Sequence, residues 1–165
     1  MIHRAGINEI GSIRAMAEVV FRQTYREILS PEQMEYMMNM MYSEKNLRRQ
    51  MAEEGHVYFI DEGRGYASYR LDGVTEDGRE RYHLEKLYVM PAWQKTGLGL
   101  KLFNTITEAV KGVSSSPSPL LELNVNRGNP ALGFYERLGM RRARSGDFPI
   151  GNGFYMNDYI MAIDL

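Results

Sequence analysis

The 165-residue sequence contains no cysteine. This absence excludes disulfides, thiolate catalysis and cysteine metal sites together. Histidine is scarce as well: the chain has only His3, His56 and His83, and their spacing matches no metal-ligand pattern. We therefore expect no bound metal.

Long apolar runs are also missing. No segment approaches the roughly 18 apolar residues that a membrane-spanning helix needs, and no signal-peptide pattern is present. The charges balance, with 20 basic against 21 acidic residues, so the composition does not support binding to nucleic acid or to a membrane surface. We expect one cytoplasmic domain over residues 1–165.

What is present is the hydrophobic periodicity of a mixed α/β fold. Strand patterns occur at seven places: residues 1–5, 56–61, 66–71, 81–89, 120–125, 140–148 and 154–163. The turn before the fourth strand is predicted at the Asp72-Gly73 and Asp77-Gly78 pairs. Three strands in hairpin succession indicate a largely antiparallel central sheet.

Helical patterns fill the intervals between these strands. Ser30 is predicted to cap the second helix with Gln33 closing a capping box, and Ser43 to cap the third. Asn129 opens a short helix late in the chain. The predicted order is β-ααα-βββ-α-β-α-ββ, with helices on both faces of the sheet.

The most informative segment joins the fourth strand to a helix and reads LYVMPAWQKTGLG, residues 87–99. Free N–H groups at a helix start lie at the positive end of the helix dipole and suit a phosphate. Gly97 and Gly99 allow close approach to the backbone, and Lys95 adds a positive charge. Neither GxGxxG nor GxxxxGK[ST] is present, which disfavours those two phosphate-binding folds.

The hexapeptide QKTGLG fits the pattern [Q/R]xxGx[G/A], and LELNVNRGNPALGFYERLGM follows at residues 121–140. Together they resemble the two conserved motifs of the GCN5-related N-acetyltransferase (GNAT) family. The resemblance implies an acetyl-CoA-dependent enzyme in which the strand at 81–89 splays from the strand at 120–125. It implies that the backbone of Leu87, Tyr88 and Val89 pairs with the pantetheine arm, and that the pyrophosphate is held by the amides of Gln94, Lys95, Thr96, Gly97, Leu98 and Gly99.

Transfer to an amine requires a base, because an alkylamine with a pKa near 10 is protonated at neutral pH. Many relatives carry a glutamate at the position of His83 in this chain, and Glu85 follows two residues later. Strand periodicity puts both residues on one face unless a bulge intervenes. Either is a candidate base, with a lean towards Glu85 because a carboxylate also attracts a cationic amine.

The family resemblance also suggests an acid and a further cofactor contact. Tyr135 occupies the position of the residue that protonates the departing CoA thiolate. Asn129 occupies the position of a cofactor contact at one residue less than a common spacing, and Asn126 and Asn124 are alternatives.

The N-terminal helices resemble those of PaiA-like spermine/spermidine N-acetyltransferases. The resemblance implies a small amine as substrate, with a polyamine as the first candidate. Other small amines, peptide N-termini and protein lysines are alternatives, as is an acyl-CoA sensor without catalysis, and a homodimer is a candidate assembly. The methionine-rich second helix is either core or a pliable binding wall.

Overall fold

The computed structural model describes residues 1–165 and contains seven strands and five α-helices in the predicted order. The strands are β1 (His3–Arg4), β2 (Val57–Asp61), β3 (Gly65–Val74), β4 (Glu80–Val89), β5 (Leu120–Asn126), β6 (Arg141–Gly151) and β7 (Phe154–Asp164). The helices are α1 (Ile10–Tyr25), α2 (Pro31–Tyr42), α3 (Glu44–Ala52), α4 (Leu98–Val113) and α5 (Leu132–Arg137). None of the helices is both long and apolar enough to cross a bilayer.

All seven strands form one sheet in the order β1-β2-β3-β4-β5-β7-β6. Every neighbouring pair is antiparallel except β4 and β5, which confirms the largely antiparallel sheet. The parallel pairing is short: only residues 81–83 of β4 face residues 120–122 of β5. Beyond that point the two strands have no common register, and a gap opens between them.

Helices cover both faces of the sheet, as predicted. Helices α1, α2 and α3 bury one apolar cluster against Tyr58, Ile60 and Tyr66, and α4 buries another against residues of β3, β4 and β5. Strand β5 shows the alternation: Leu121, Leu123 and Val125 pack under α4, whereas the polar residues between them face the other side. The apolar half of each strand therefore fixes the direction of its polar half.

Two local predictions needed correction. Ser30 Oγ accepts the hydrogen bond from the Gln33 N–H at 3.1 Å, but the predicted capping box is incomplete, because the Gln33 side chain donates to Tyr155 O at 2.7 Å. This bond ties α2 to β7. The predicted turn at Asp72-Gly73 was wrong: β3 continues through Gly73 with a register irregularity, and the chain turns after Thr75, where Gly78 N–H donates to Thr75 O at 3.0 Å.

Strand β4 contains a β-bulge close to the two candidate bases, His83 and Glu85. Leu84 pairs with Tyr69 and Lys86 pairs with Ser68, so Glu85 is an extra residue in β4. A bulge of this kind shifts the alternation of every following side chain by one position. Leu84 lies in the cluster under α4 before the bulge, and Leu87 packs against the same cluster after it.

Candidate active site

A cleft of about 610 Å³ occupies the gap between β4 and β5. One wall is the second half of β4 and the other is β5 with the start of α5; the loop before α4 closes one end. On its β3 side, β4 is paired through Val89, but its other edge has no strand partner beyond His83. The cleft therefore exposes an open strand edge to any extended ligand that enters it.

The loop before α4 contains two residues with left-handed backbone conformations. Lys95 has φ 61° and Gly97 has φ 89°, and Gly97 is the residue that precedes the first turn of α4. Both line the cleft together with Gln94 and Gly99. The first N–H groups of α4 have no intrahelical acceptor, so this end of the cleft is suited to an anion.

The other predicted loop residues are placed differently. The Leu98 side chain is buried in the core cluster, and Thr96 Oγ1 donates to Trp93 O at 2.5 Å. Neither side chain borders the cleft. Only the backbone of these two residues remains available for the predicted pyrophosphate contact, and that contact stays a prediction.

Tyr135 lines the cleft from α5 and is buried. Burial and the nearby Tyr25 raise the pKa of the Tyr135 hydroxyl well above its ordinary value. The phenol is therefore protonated at neutral pH, as a proton donor must be. The Phe134 ring lies beside it, with centroids 5.3 Å apart, and approaches Gly99 so closely that an added Cβ would be 3.4 Å from Phe134 Cζ.

The three candidate asparagines have different surroundings. Asn129 borders the cleft, but its side chain already bonds within the protein: Oδ1 accepts from Ala131 N at 2.9 Å and Nδ2 donates to Tyr25 Oη at 3.2 Å. Asn126 Oδ1 accepts from Gly128 N at 2.8 Å. Asn124 donates to the Asp158 carboxylate at 3.1 Å. The asparagines thus organise the loop and the strands around the cleft.

A second cavity of about 480 Å³ lies under α1 and α2, on the face of the sheet opposite α4; we call it the acceptor cavity. Its helical side, the wall, is mostly apolar and its sheet side, the floor, is mostly polar. The helical side includes Phe21, Leu29, Met37, Met40 and Met41; the sheet side includes the polar residues Arg70, Asp72, His83, Glu85, Glu122, Asn124, Asn126, Arg144 and Asp158 and the apolar residues Phe148, Met156 and Ile160. Of the α2 methionines, Met34, Met37 and Met38 belong to the core, and Met37, Met40 and Met41 line this cavity, where a binding role stays a prediction.

The two cavities share four lining residues: Tyr25, Glu85, Tyr88 and Asn124. The Tyr25 and Tyr88 hydroxyls are 3.2 Å apart. A molecule in the cleft and a second molecule in the acceptor cavity would therefore meet at this junction.

The structure brings both candidate bases to the acceptor cavity, on the same face of β4. Only Glu85 also borders the cleft. One oxygen of Glu85 accepts from Arg70 Nε at 2.5 Å, and Arg70 also contacts Asp72 at 3.0 Å. Glu85 is therefore better placed than His83 to act as a base at the junction, although its carboxylate forms an ion pair with Arg70.

Sequence reasoning missed two buried charged residues. Asp158 of β7 lies on the floor of the acceptor cavity, and Lys86 lies under α2 and α3. The Lys86 ammonium donates to Met41 O at 3.0 Å, to Gln50 Oε1 at 3.1 Å and to the Tyr58 hydroxyl. Burial lowers the pKa of Lys86 to about 7.

Lys86 fastens the helices above the acceptor cavity to β4, with its ammonium 4.4 Å from the centre of the Tyr42 ring. A lysine in a strand ordinarily faces solvent, so the sequence carried no signal for it. Asp158 did leave one, because it is a carboxylate in the middle of a strand whose other residues are mostly apolar.

Comparison with known proteins gives a consistent result. The family model described as the acetyltransferase (GNAT) domain matches residues 25–161. The PaiA N-acetyltransferase from Thermoplasma acidophilum in complex with coenzyme A has a TM-score of 0.74 and 19% identity, over 100% of this chain and 98% of that one. A GCN5-related N-acetyltransferase from Rhodopseudomonas palustris has a TM-score of 0.76 and 18% identity, over 100% of this chain and 95% of that one.

Arabidopsis thaliana Naa50, in complex with the bisubstrate analogue CoA-Ac-MVNAL, has a TM-score of 0.67 and 15% identity, over 100% of this chain and 98% of that one. At these identities the structures show a shared fold, whereas the family model covers most of the chain with its own sequence pattern. The splayed strands, the glycine loop before α4 and the matched family model lead to one conclusion: the chain belongs to the GNAT acetyltransferase family.

Proposed function

We propose that this protein is an N-acetyltransferase that moves the acetyl group of acetyl-CoA directly to a primary amine. The observation that carries the proposal is the junction at Glu85 and Tyr88, where the cleft meets the acceptor cavity. Direct transfer needs both reactants present at once, and two cavities that share Tyr25, Glu85, Tyr88 and Asn124 as lining residues would hold them side by side.

Acetyl-CoA would occupy the cleft. Its pyrophosphate would lie at the start of α4 beside Lys95, and its pantetheine arm along Leu87 and Val89. A backbone N–H in this stretch would polarise the thioester carbonyl. Both the PaiA structure and the Arabidopsis structure contain CoA or a CoA conjugate, which supports this assignment.

The amine would enter through the acceptor cavity and attack the thioester carbonyl. The ammonium first gives one proton to Glu85, directly or through water, with His83 as the alternative base, and the neutral amine then forms the nitrogen–carbon bond. The carbon–sulfur bond breaks as Tyr135 donates its proton to the departing thiolate, and the second proton of the nitrogen restores the Tyr135 hydroxyl. Tyr135 lines the cleft and is protonated at neutral pH, which supports this role.

A polyamine such as spermidine is our first candidate acceptor. The similarity to PaiA and the four carboxylates on the cavity floor, Asp72, Glu85, Glu122 and Asp158, support it. A peptide N-terminus is the second candidate, because the methionine wall suits an apolar side chain and the Arabidopsis analogue joins CoA to the peptide sequence MVNAL. The cytoplasm is the compartment in which we place either reaction.

Thiol release from acetyl-CoA across an amine panel tests the proposal. The panel contains spermidine, n-hexylamine, a peptide with a free N-terminus, and the same peptide with a blocked N-terminus and an internal lysine. Amine-dependent thiol release with a matching acetylated product is the expected result. Tight CoA binding without turnover on any amine would instead identify an acyl-CoA sensor.

A further inference from the structure

The four carboxylates on the floor of the acceptor cavity differ in whether they form an ion pair with a basic side chain of the protein. Glu85 and Asp72 share Arg70, at 2.5 Å and 3.0 Å. Glu122 binds Arg144 through both its oxygens, at 3.0 Å and 3.3 Å. These three carboxylates are therefore already compensated by arginines of the protein.

Asp158 forms no ion pair within the protein, although the charges of Arg127 and His83 partly offset the effect of burial on its pKa. Asp158 is 2% exposed, and no lysine, arginine or histidine nitrogen lies within 4.0 Å of its carboxylate. The nearby Arg127 guanidinium is directed to main-chain oxygens and to Asp147, at 2.6 Å. The other two buried carboxylate residues, Asp61 and Glu122, each have a cation.

A buried carboxylate without a cation is costly, because it loses hydration and gains little in return. Asp158 accepts one side-chain hydrogen bond, from Asn124 Nδ2 at 3.1 Å. Burial raises the pKa of Asp158 above its ordinary value, as expected for a charge of this kind. The cavity therefore contains a buried carboxylate, Asp158, that has no cationic side chain as an ion-pair partner.

The position of Asp158 indicates where that partner would come from. The residue borders the acceptor cavity, and the Asn124 side chain to which it is bonded borders both cavities. Apolar side chains line the same cavity, among them Met37 of α2 and Met156, which precedes Asp158 by two residues on β7. A ligand that satisfies both surfaces has a positive charge at one end and an alkyl segment behind it.

We propose that Asp158 is the specificity-determining residue of the acceptor cavity and binds the ammonium group of an alkylamine acceptor. The inference rests on the proposed function, since it names the group that recognises the amine. It also separates recognition from proton removal: Asp158 binds the ammonium as it enters the cavity, and the base at the junction takes the proton once the same nitrogen has moved to the thioester. The acceptor class is a primary alkylamine that arrives protonated.

Binding of n-hexylamine in the presence of CoA tests this without any turnover, because CoA carries no acetyl group. Calorimetry at pH 7 compares the parent with Asp158→Asn, which removes the charge but keeps an oxygen to accept from Asn124. The matched control is Asp164→Asn, the same change on the same strand at an exposed aspartate that pairs with Arg79 at 2.7 Å, outside both cavities. Hexanol replaces hexylamine as the uncharged ligand.

We expect hexylamine to bind the parent and Asp164→Asn equally, and Asp158→Asn about tenfold or more weakly, as the loss of a charged hydrogen-bond partner predicts. Hexanol should bind the parent and Asp158→Asn alike. Equal hexylamine affinity in all three proteins, or no hexylamine binding to the parent, would overturn the inference. A protein that binds hexylamine through Asp158 yet transfers no acetyl group would refute the proposed function alone.

Discussion

The cleft and the acceptor cavity meet at four residues, but they are built in opposite ways. The cleft relies on backbone for its proposed cosubstrate contacts: an open strand edge, a glycine loop and the start of a helix, all within residues 84–100. The acceptor cavity relies on side chains from two helices and five strands. A site made of backbone can keep its geometry while sequences change, whereas a site made of side chains changes with each substitution.

The largest effect in the cleft should come from Tyr135, the proposed acid. Tyr135→Phe keeps the ring and deletes the hydroxyl, so turnover should fall by about 10²-fold, the lower end for general acid catalysis, with acetyl-CoA affinity unchanged. Steady-state kinetics and CoA calorimetry measure the two quantities. Tyr155→Phe is the control, because Tyr155 is exposed and borders neither cavity. Unaltered turnover in Tyr135→Phe would remove this residue from the mechanism.

The next effect concerns the junction that the two cavities share. Glu85→Gln should lower turnover by about tenfold or more, short of the full loss of a general base because His83 lies in the same cavity and can substitute in part. His83→Gln should have a milder effect, since His83 does not border the cleft. A severe loss in His83→Gln with a mild one in Glu85→Gln would reverse the assignment.

The pH profile adds to this comparison. If neutral His83 is the base, activity at saturating acetyl-CoA should rise with pH, and His83→Gln should remove that limb. Near-parental rates for both variants from about pH 6 to 9 would show that neither is the base.

A smaller effect tests the backbone character of the cleft. Gly97 has φ 89°, where a β-branched residue is strained, so Gly97→Val should distort the loop and weaken CoA binding by about tenfold. Gly78→Val is a matched control, because Gly78 has φ 86° in a turn that lines neither cavity. Both variants should lose stability, but only Gly97→Val should lose CoA affinity in calorimetry. Equal affinity in the two would contradict the location of the pyrophosphate site.

The smallest effect has the opposite sign. Asp158→Asn removes a buried charge that has no ion-pair partner, so it should stabilise the unliganded protein by about 1 kcal/mol at pH 7. Because burial raises the pKa of Asp158 in the folded state, its charge destabilises folding above that pKa, and the cost vanishes below the unfolded value.

The stability advantage of Asp158→Asn should therefore shrink as pH falls from 7 towards 4. Thermal unfolding of both proteins across that range measures it. A variant less stable than the parent at pH 7 would show that Asp158 has a structural role instead.

The same contrast explains how far the sequence could lead. The order of strands and helices and the loop follow from local signals: alternation in β5, a glycine pair, a cap at Ser30. The splayed pair of strands followed only from the resemblance to the GNAT family. Errors arose where a residue had a distant partner, as Gln33 does in Tyr155. Asp158 escaped notice for a similar reason, because its lack of a cation depends on where Arg70, Arg127 and Arg144 direct their guanidinium groups.

The extra residue at position 85 also has a consequence for how enzymes of this shape can be altered. Upstream of it, His83 faces the acceptor cavity; downstream, the open backbone edge of β4 faces the cleft. We therefore expect substitutions upstream to change the acceptor cavity without altering the strand edge at the cleft. A one-residue deletion at the bulge would instead reverse the alternation of the downstream side chains. Leu87 and Val89 would then face the apolar cluster under α1, α2 and α3, and Tyr88 would face the cluster under α4.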